Sequence, residues 1–249
     1  MIKIIYFNFI MKIEPIEQIE QTEKIEKTEK IEQQNNDNNG LYGYQMVLLW
    51  LILFFVIIYP LIANFSVIDK TIMYWCFLTI FVFLFEMMFM YNYNYVCDKG
   101  GEYFKNKKCY WTEKVNLSDM FSDKMYLDLY ADYSLADYKY RQNMNDSGFH
   151  FVYFGEIWHG IFAGLLSILV IYYKFFNNNL KKYHLSYFTL GITQLVMIIW
   201  YMSPAILELF LQDHQNNLSN TFWPPHLWNV PWFILPSILI YNGLINIID

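Results

Sequence analysis

Residues 47–65 read VLLWLILFFVIIYPLIANF, nineteen positions without a charged side chain. A helix needs ~20 mostly apolar residues to cross a hydrocarbon layer of ~30 Å. Extended to about 44–65, this stretch meets that requirement. Four more segments do so as well: about 72–95, 151–175, 185–211 and 222–248. Trp50, Tyr91, Tyr93, Tyr172 and Tyr173 gather toward segment ends, as interfacial aromatics do. Pro60, Pro204, Pro231 and Pro236 fall inside segments, where neighbouring groups in a bundle satisfy the freed backbone. The fold expected is all-α: a polytopic membrane bundle of about five helices over residues 41–249, with a polar loop between helices 2 and 3.

Composition agrees. Of 249 residues, 56% are hydrophobic, 21% aromatic and 16% charged, against usual values of ~45–50% apolar and ~25% charged. So few charges do not cover a water-facing surface around so much apolar mass, which argues against an ordinary cytosolic enzyme. The formal charge of −6 comes without a basic cluster, which argues against a nucleic-acid binder. Three Cys are too few for a disulfide scaffold.

Residues 1–40 stand apart. IEPIEQIEQTEKIEKTEKIEQ repeats with a period near three and gives way to QQNNDNN. An Ile at every third position drifts around a 3.6-residue helix and makes no lasting stripe, so a low-complexity disordered tail is expected. The apolar run Ile4–Ile10 is short, carries Asn8 and has no small-residue cleavage site nearby, which reads against a signal peptide.

The loop 96–150 holds 8 Lys/Arg and 9 Asp/Glu. Its Cys97 and Cys109 form a disulfide if that side is lumenal, or remain two thiols. Lys70, Lys174, Lys181 and Lys182 lie on one side of the bundle; the positive-inside rule puts that side in the cytoplasm and the N-terminus in the lumen. The tail and the 96–150 loop carry lysines on the other side.

Three carboxylates lie within the apolar segments: Glu86, Glu156 and Glu208. A charged carboxylate at mid-membrane costs roughly 2.5–3.5 kcal/mol on insertion scales, and such residues are usually retained for function. Glu86 sits in FVFLFEMMFMY with no Lys or Arg within seven positions. Its plain alternative is a hydrogen bond to a neighbouring helix. Glu156 sits in FGEIWHG near a segment start, where a helix N-terminus also favours an acid. Glu208, five residues from Asp213, reads as reaching for the interface. His159 follows Glu156 by three positions, hence on one helix face; a His beside a carboxylate is a proton-transfer unit. Asn229 and Trp232 are likewise three apart. Together these residues suggest an apolar intramembrane cavity for a lipid-like ligand, with proton donors and acceptors and an indole face suited to a cation. No Cys/His metal cluster and no phosphate-binding glycine loop is present, so neither metal nor cofactor is expected.

Several stretches resemble the emopamil-binding protein family, the sterol Δ8–Δ7 isomerases among the EXPERA-domain membrane proteins. LYADYSLADYKY (129–140) is similar to the family's L-W-K-E-Y-x-x-x-D-x-R-Y loop, with Tyr133, Asp137 and Tyr140 in register and Lys139 in place of Arg. GEIWHGIFAGLLS (155–167) resembles M-E-T-x-T-x-x-x-W-G-P-L-S, with Glu156 and Gly164 at matching spacing. NVPWFILPSILI (229–240) resembles N-A-L-W-x-V-L-P-G-V-L-V through Asn229, Trp232 and Pro236. Glu86 falls where the family has the Glu of its second-helix H-x-x-x-E, but the His position is Val82 here, and a family Thr is His159. The order of elements agrees over roughly 44–248.

The resemblance implies a sterol isomerase in the endoplasmic reticulum membrane that moves a ring double bond from Δ8 to Δ7. An acid protonates the alkene, a base removes a neighbouring proton, and carboxylate and indole hold the carbocation between. Glu86, Glu156 and His159 would be catalytic; Tyr133, Asp137, Asn229 and Trp232 would bind substrate. Val82 favours the alternative, a non-catalytic sterol- or amine-binding protein of the same fold. The partners implied are a sterol or hydrophobic amine and membrane lipid, with a homodimer left open and nucleic acid excluded.

Overall fold

The computed structural model describes residues 40–135, 137–143, 145, 147–177, 179–211 and 229–248, with side chains described for all of these except 149 and 204–211. The tail to residue 39, the 222–228 start of the last segment, Asp213 and the Glu208 side chain lie outside that set.

Seven helices are present among the described residues: α1 (Gly43–Ile62), α2 (Val67–Tyr91), α3 (Tyr93–Asn106), α4 (Asp123–Tyr133), α5 (Ser147–Tyr172), α6 (Leu180–Leu211) and α7 (Val230–Ile248). Five of them, α1, α2, α5, α6 and α7, are long and apolar enough to cross a membrane. Their outward faces carry large apolar side chains, among them Val56, Ile57, Leu165, Val196 and Ile234. A girdle of that kind has no place in water and marks a lipid-facing surface.

Helix boundaries differ from the hydropathy reading wherever a polar residue caps an end. α2 begins at Val67 because Ser66 Oγ accepts the Asp69 N–H at 3.2 Å. Asp69 and Lys70 therefore belong to the first turn of α2 rather than to a connection. α6 begins at Leu180 because Asn179 Oδ1 accepts the Lys182 N–H at 3.0 Å, which draws Lys181 and Lys182 into the helix. Asp69 then ties the start of α2 to the junction of α5 and α6, bonded by Lys174 Nζ at 2.8 Å and by the Tyr183 hydroxyl at 2.8 Å.

The stretch between α2 and α5 is a folded cap rather than a loop. It contains α3, α4 and 3₁₀ turns at Tyr110–Thr112, Leu117–Phe121 and Tyr138–Arg141. A two-residue pair, β1 (Leu41–Tyr42) with β2 (Lys114–Val115), runs antiparallel with Leu41 opposite Val115 and staples the cap to the start of α1. Cys97 and Cys109 are not joined in a disulfide. Cys97 Sγ donates to the Arg141 carbonyl at 3.0 Å, and Cys109 Sγ lies 3.2 Å from Thr112 Oγ1, so the thiol alternative holds.

Two cores result. One joins the cap to the adjacent helix ends through Met46, Val47, Phe89, Tyr93, Tyr140 and Val152. The other lies deeper in the bundle, around Phe54, Ile58, Trp75, Cys76, Ala163 and Leu239. On α2, Glu86 falls between Cys76 and Phe89; on α5, Glu156 and His159 fall between Val152 and Ala163. The polar residues thus sit at the level where the two cores meet.

Candidate functional site

α2 and α5 cross at close range because α5 presents Gly160 and Gly164 to α2. A Cβ at Gly160 would stand 2.5 Å from Glu86 Oε2 and 2.9 Å from Phe83 Cδ2; at Gly164 it would meet Phe83 Cγ at 3.0 Å. Two small residues four apart are a standard device for letting membrane helices approach. Here they set the distance across which the acids and the imidazole interact.

At this crossing His159 Nδ1 lies 2.7 Å from Glu86 Oε1. Ligand-type atoms of Glu86, Glu156 and His159 all lie within 4.8 Å of one another. The sequence places His159 beside Glu156 on one face; the fold brings both to Glu86 from another helix, and the imidazole bonds Glu86 directly. The Tyr140 hydroxyl donates to Glu156 Oε1. Burial holds the Tyr140 phenol well above its ordinary range, so it stays a protonated donor. Glu86 Oε2 is buried without a hydrogen-bond partner among the described residues. Two carboxylates and an imidazole at this spacing can pass a proton among themselves. They are also a donor set that divalent metals use, but no fourth His, Cys, Asp or Glu joins them among the described residues.

These groups open onto a cavity of about 300 Å³, at the lower end of the range for small-molecule sites. Val82, one turn before Glu86, lines it, so the site has an apolar wall at that position. Trp232 lines it too, its ring 4.8 Å from the His159 ring and nearly perpendicular to it. The indole is itself wedged against Trp75 at 4.6 Å. Asn229 donates to the Tyr133 hydroxyl at 2.9 Å, and both line the cavity. Six of the seven site residues expected from sequence therefore converge. Asp137 is the exception and is not among the lining residues. It caps the 3₁₀ turn at Tyr138–Arg141 by accepting the Lys139 N–H, and it accepts the hydroxyl of Tyr201 at 2.8 Å. Tyr201 does reach the cavity, so Asp137 acts on the site by holding that ring.

Several lining residues were not anticipated. Tyr140 lay inside the quoted motif, and its hydroxyl was the available signal. Gln194 lies alone in the apolar run LGITQLVMIIW; its amide accepts the Trp75 indole N–H at 2.7 Å and donates to Thr79 Oγ1 at 3.1 Å. Asp132, 2% exposed, accepts the Tyr110 N–H at 2.7 Å and is pushed up to about 6 by burial. Nothing in its sequence surroundings separates it from the eight other acids of the cap.

No protein-family model, no curated protein and no solved structure matches this chain.

Proposed function

We propose that the protein is a sterol isomerase that shifts a ring double bond from Δ8 to Δ7 within the membrane. The observation that carries this reading is the His159–Glu86 contact at 2.7 Å beside Glu156, at the wall of a mostly apolar cavity. A double-bond shift consumes and releases one proton. One group must protonate an alkene carbon, leaving a cation on its neighbour. A second must remove a proton from the adjacent ring carbon, so that the electron pair of that C–H bond becomes the new π bond. Three titratable groups in contact supply both roles. His159 stands where it can exchange a proton with Glu86, and so does the work that Val82 cannot. Tyr140 orients Glu156. The Trp232 face, next to His159, stabilises positive charge in a site where water is excluded.

A second reading is supported by Val82, which removes one titratable group from the family pattern. Under it, the same cavity binds sterols or hydrophobic amines without turnover. The endoplasmic reticulum membrane is the location that fits either reading. Expression in cells lacking sterol Δ8–Δ7 isomerase, followed by sterol profiling, separates the two. Restored Δ7 sterols support the enzyme; accumulated Δ8 sterols despite good expression of the protein leave only the binding reading.

A further inference from the structure

The cavity has a second polar end, which the proton-transfer chemistry does not use. Beyond Glu86, on the cap side, α4 turns Leu129, Tyr130, Asp132 and Tyr133 into the lining. α4 is seated on the end of α2 by stacked rings, Phe85 on Tyr126 at 3.7 Å and Phe89 on Tyr130 at 4.7 Å. Asp132 fixes the 3₁₀ turn that follows α3 by accepting the Tyr110 N–H, and that turn carries Trp111 into the cavity, where its indole faces the same carboxylate. An ionised carboxylate has about four lone-pair sites, so Tyr110 and Trp111 leave acceptor capacity.

The opposite end is different in kind. Gln194 is tied to Trp75 and Thr79. Thr79 lies seven residues before Glu86 on α2, about 10 Å along the helix axis. The cavity therefore extends from a buried carboxylate in the cap, past Glu86, Glu156 and His159, to a neutral amide whose hydrogen bonds are largely committed. Such a space favours an elongated ligand with one donor at the cap end and an apolar body beyond it.

We propose that Asp132, with Trp111 beside it, is a head-group subsite that accepts a hydrogen bond from the hydroxyl of an amphipathic alcohol and sets the direction in which the ligand lies. The proposal rests on the reading of the cavity as a sterol site and adds to it which end of the molecule is recognised and by what. A carboxylate accepts from an O–H but cannot donate to a carbonyl, so an alcohol is preferred over the matching ketone. An Asn at 132 keeps a carbonyl oxygen for the Tyr110 N–H and turns the other atom into a donor, which reverses that logic.

The test uses the full chain in lipid nanodiscs. A 3-hydroxy Δ8 sterol and the corresponding 3-ketone compete against a radiolabelled hydrophobic amine that carries no oxygen. In the wild-type chain the alcohol is expected to bind at least tenfold more tightly than the ketone. In Asp132→Asn that ratio is expected to fall to near one or invert. Equal affinity of alcohol and ketone for the wild-type chain overturns the proposal without any variant having to fold, and an unchanged ratio in folded Asp132→Asn overturns it too. In both of those cases, amine and sterol binding by the wild type leaves the wider reading standing. If neither amine nor sterol binds the wild-type chain, the wider reading fails, and the subsite with it.

Discussion

Replacing Gly160 with Ala perturbs the site through one methyl group. The added Cβ would lie 2.5 Å from Glu86 Oε2, so the carboxylate must retreat by about 0.9 Å to reach ordinary van der Waals contact at 3.4 Å. The far end of a flexible side chain can yield, and the fold survives. Ala in a helix interior gains roughly 0.5–1 kcal/mol over Gly, which offsets much of the ~1–3 kcal/mol cost of overpacking. The 2.7 Å contact between Glu86 and His159 does not survive. Stretched by the same amount and turned off line, it leaves the range of a good hydrogen bond. A displacement of about 1 Å in a reacting group costs on the order of a hundredfold. Gly164→Ala is the control, since the nearest atoms its Cβ meets belong to the Phe83 side chain, at 3.0 Å or more. Turnover of a Δ8 sterol, normalised to folded protein measured by thermal melting in detergent, should fall ~100-fold for Gly160→Ala and much less for Gly164→Ala. Equal losses in the two variants, or wild-type turnover in Gly160→Ala, would refute the claim that the helix crossing positions Glu86.

Other consequences follow from single residues. Tyr140→Phe removes the donor to Glu156 and should lower turnover ten- to a hundredfold, within the usual scale of acid–base contributions, while Tm changes little. Val82 lines the same wall, so Val82→His should be accommodated and place an imidazole one turn before Glu86; a collapse of folding would show that the wall has no room for it. Asp132 has its carboxyl raised from 3.8 to about 6 in the folded chain, so folding favours its neutral form. Its penalty is absent below about pH 4, grows as pH rises toward 6 and is constant above. Relative to Asp132→Asn, wild-type stability should therefore drop by about 3 kcal/mol between pH 4 and 7, and parallel pH profiles of the two proteins would contradict this. Lys107 ends α3 with φ of 53°, and Lys107→Gly should raise stability by ~1 kcal/mol, read as a higher Tm.

The long helices were legible because membrane crossing imposes one strong constraint, and runs such as 47–65 satisfy it without interruption. The helix ends were not, because Ser66 and Asn179 act by capping, which hydropathy does not register. The cap was hidden for a different reason. Its helices hold together through Tyr and Trp rings packed across long sequence separations, Tyr93 to the Lys139 carbonyl at 3.2 Å among them, and neither period nor charge announces such contacts. In the site, the spacing of Glu156 and His159 gave their shared face. The partner of His159, Glu86, lies 73 residues away, and the crossing that joins them depends on Gly160 and Gly164. The pair was visible in the sequence as two small residues four apart in an apolar helix. Asp137 shows the reverse: a motif position expected to bind substrate stands off the cavity and instead bonds the hydroxyl of Tyr201, which lines it.

Entry of solvent hydrogen into the sterol ring is the direct signature of the proposed proton transfer. The purified chain is incubated in D2O with a Δ8 sterol, and the product is analysed by mass spectrometry and NMR. Protonation by Glu86, Glu156 or His159, which exchange with solvent, predicts a Δ7 sterol carrying deuterium at the newly saturated ring carbon, and loss of that product in Glu156→Gln and His159→Ala. Recovery of the Δ8 sterol unchanged and free of deuterium, from protein shown to bind it, would contradict the account.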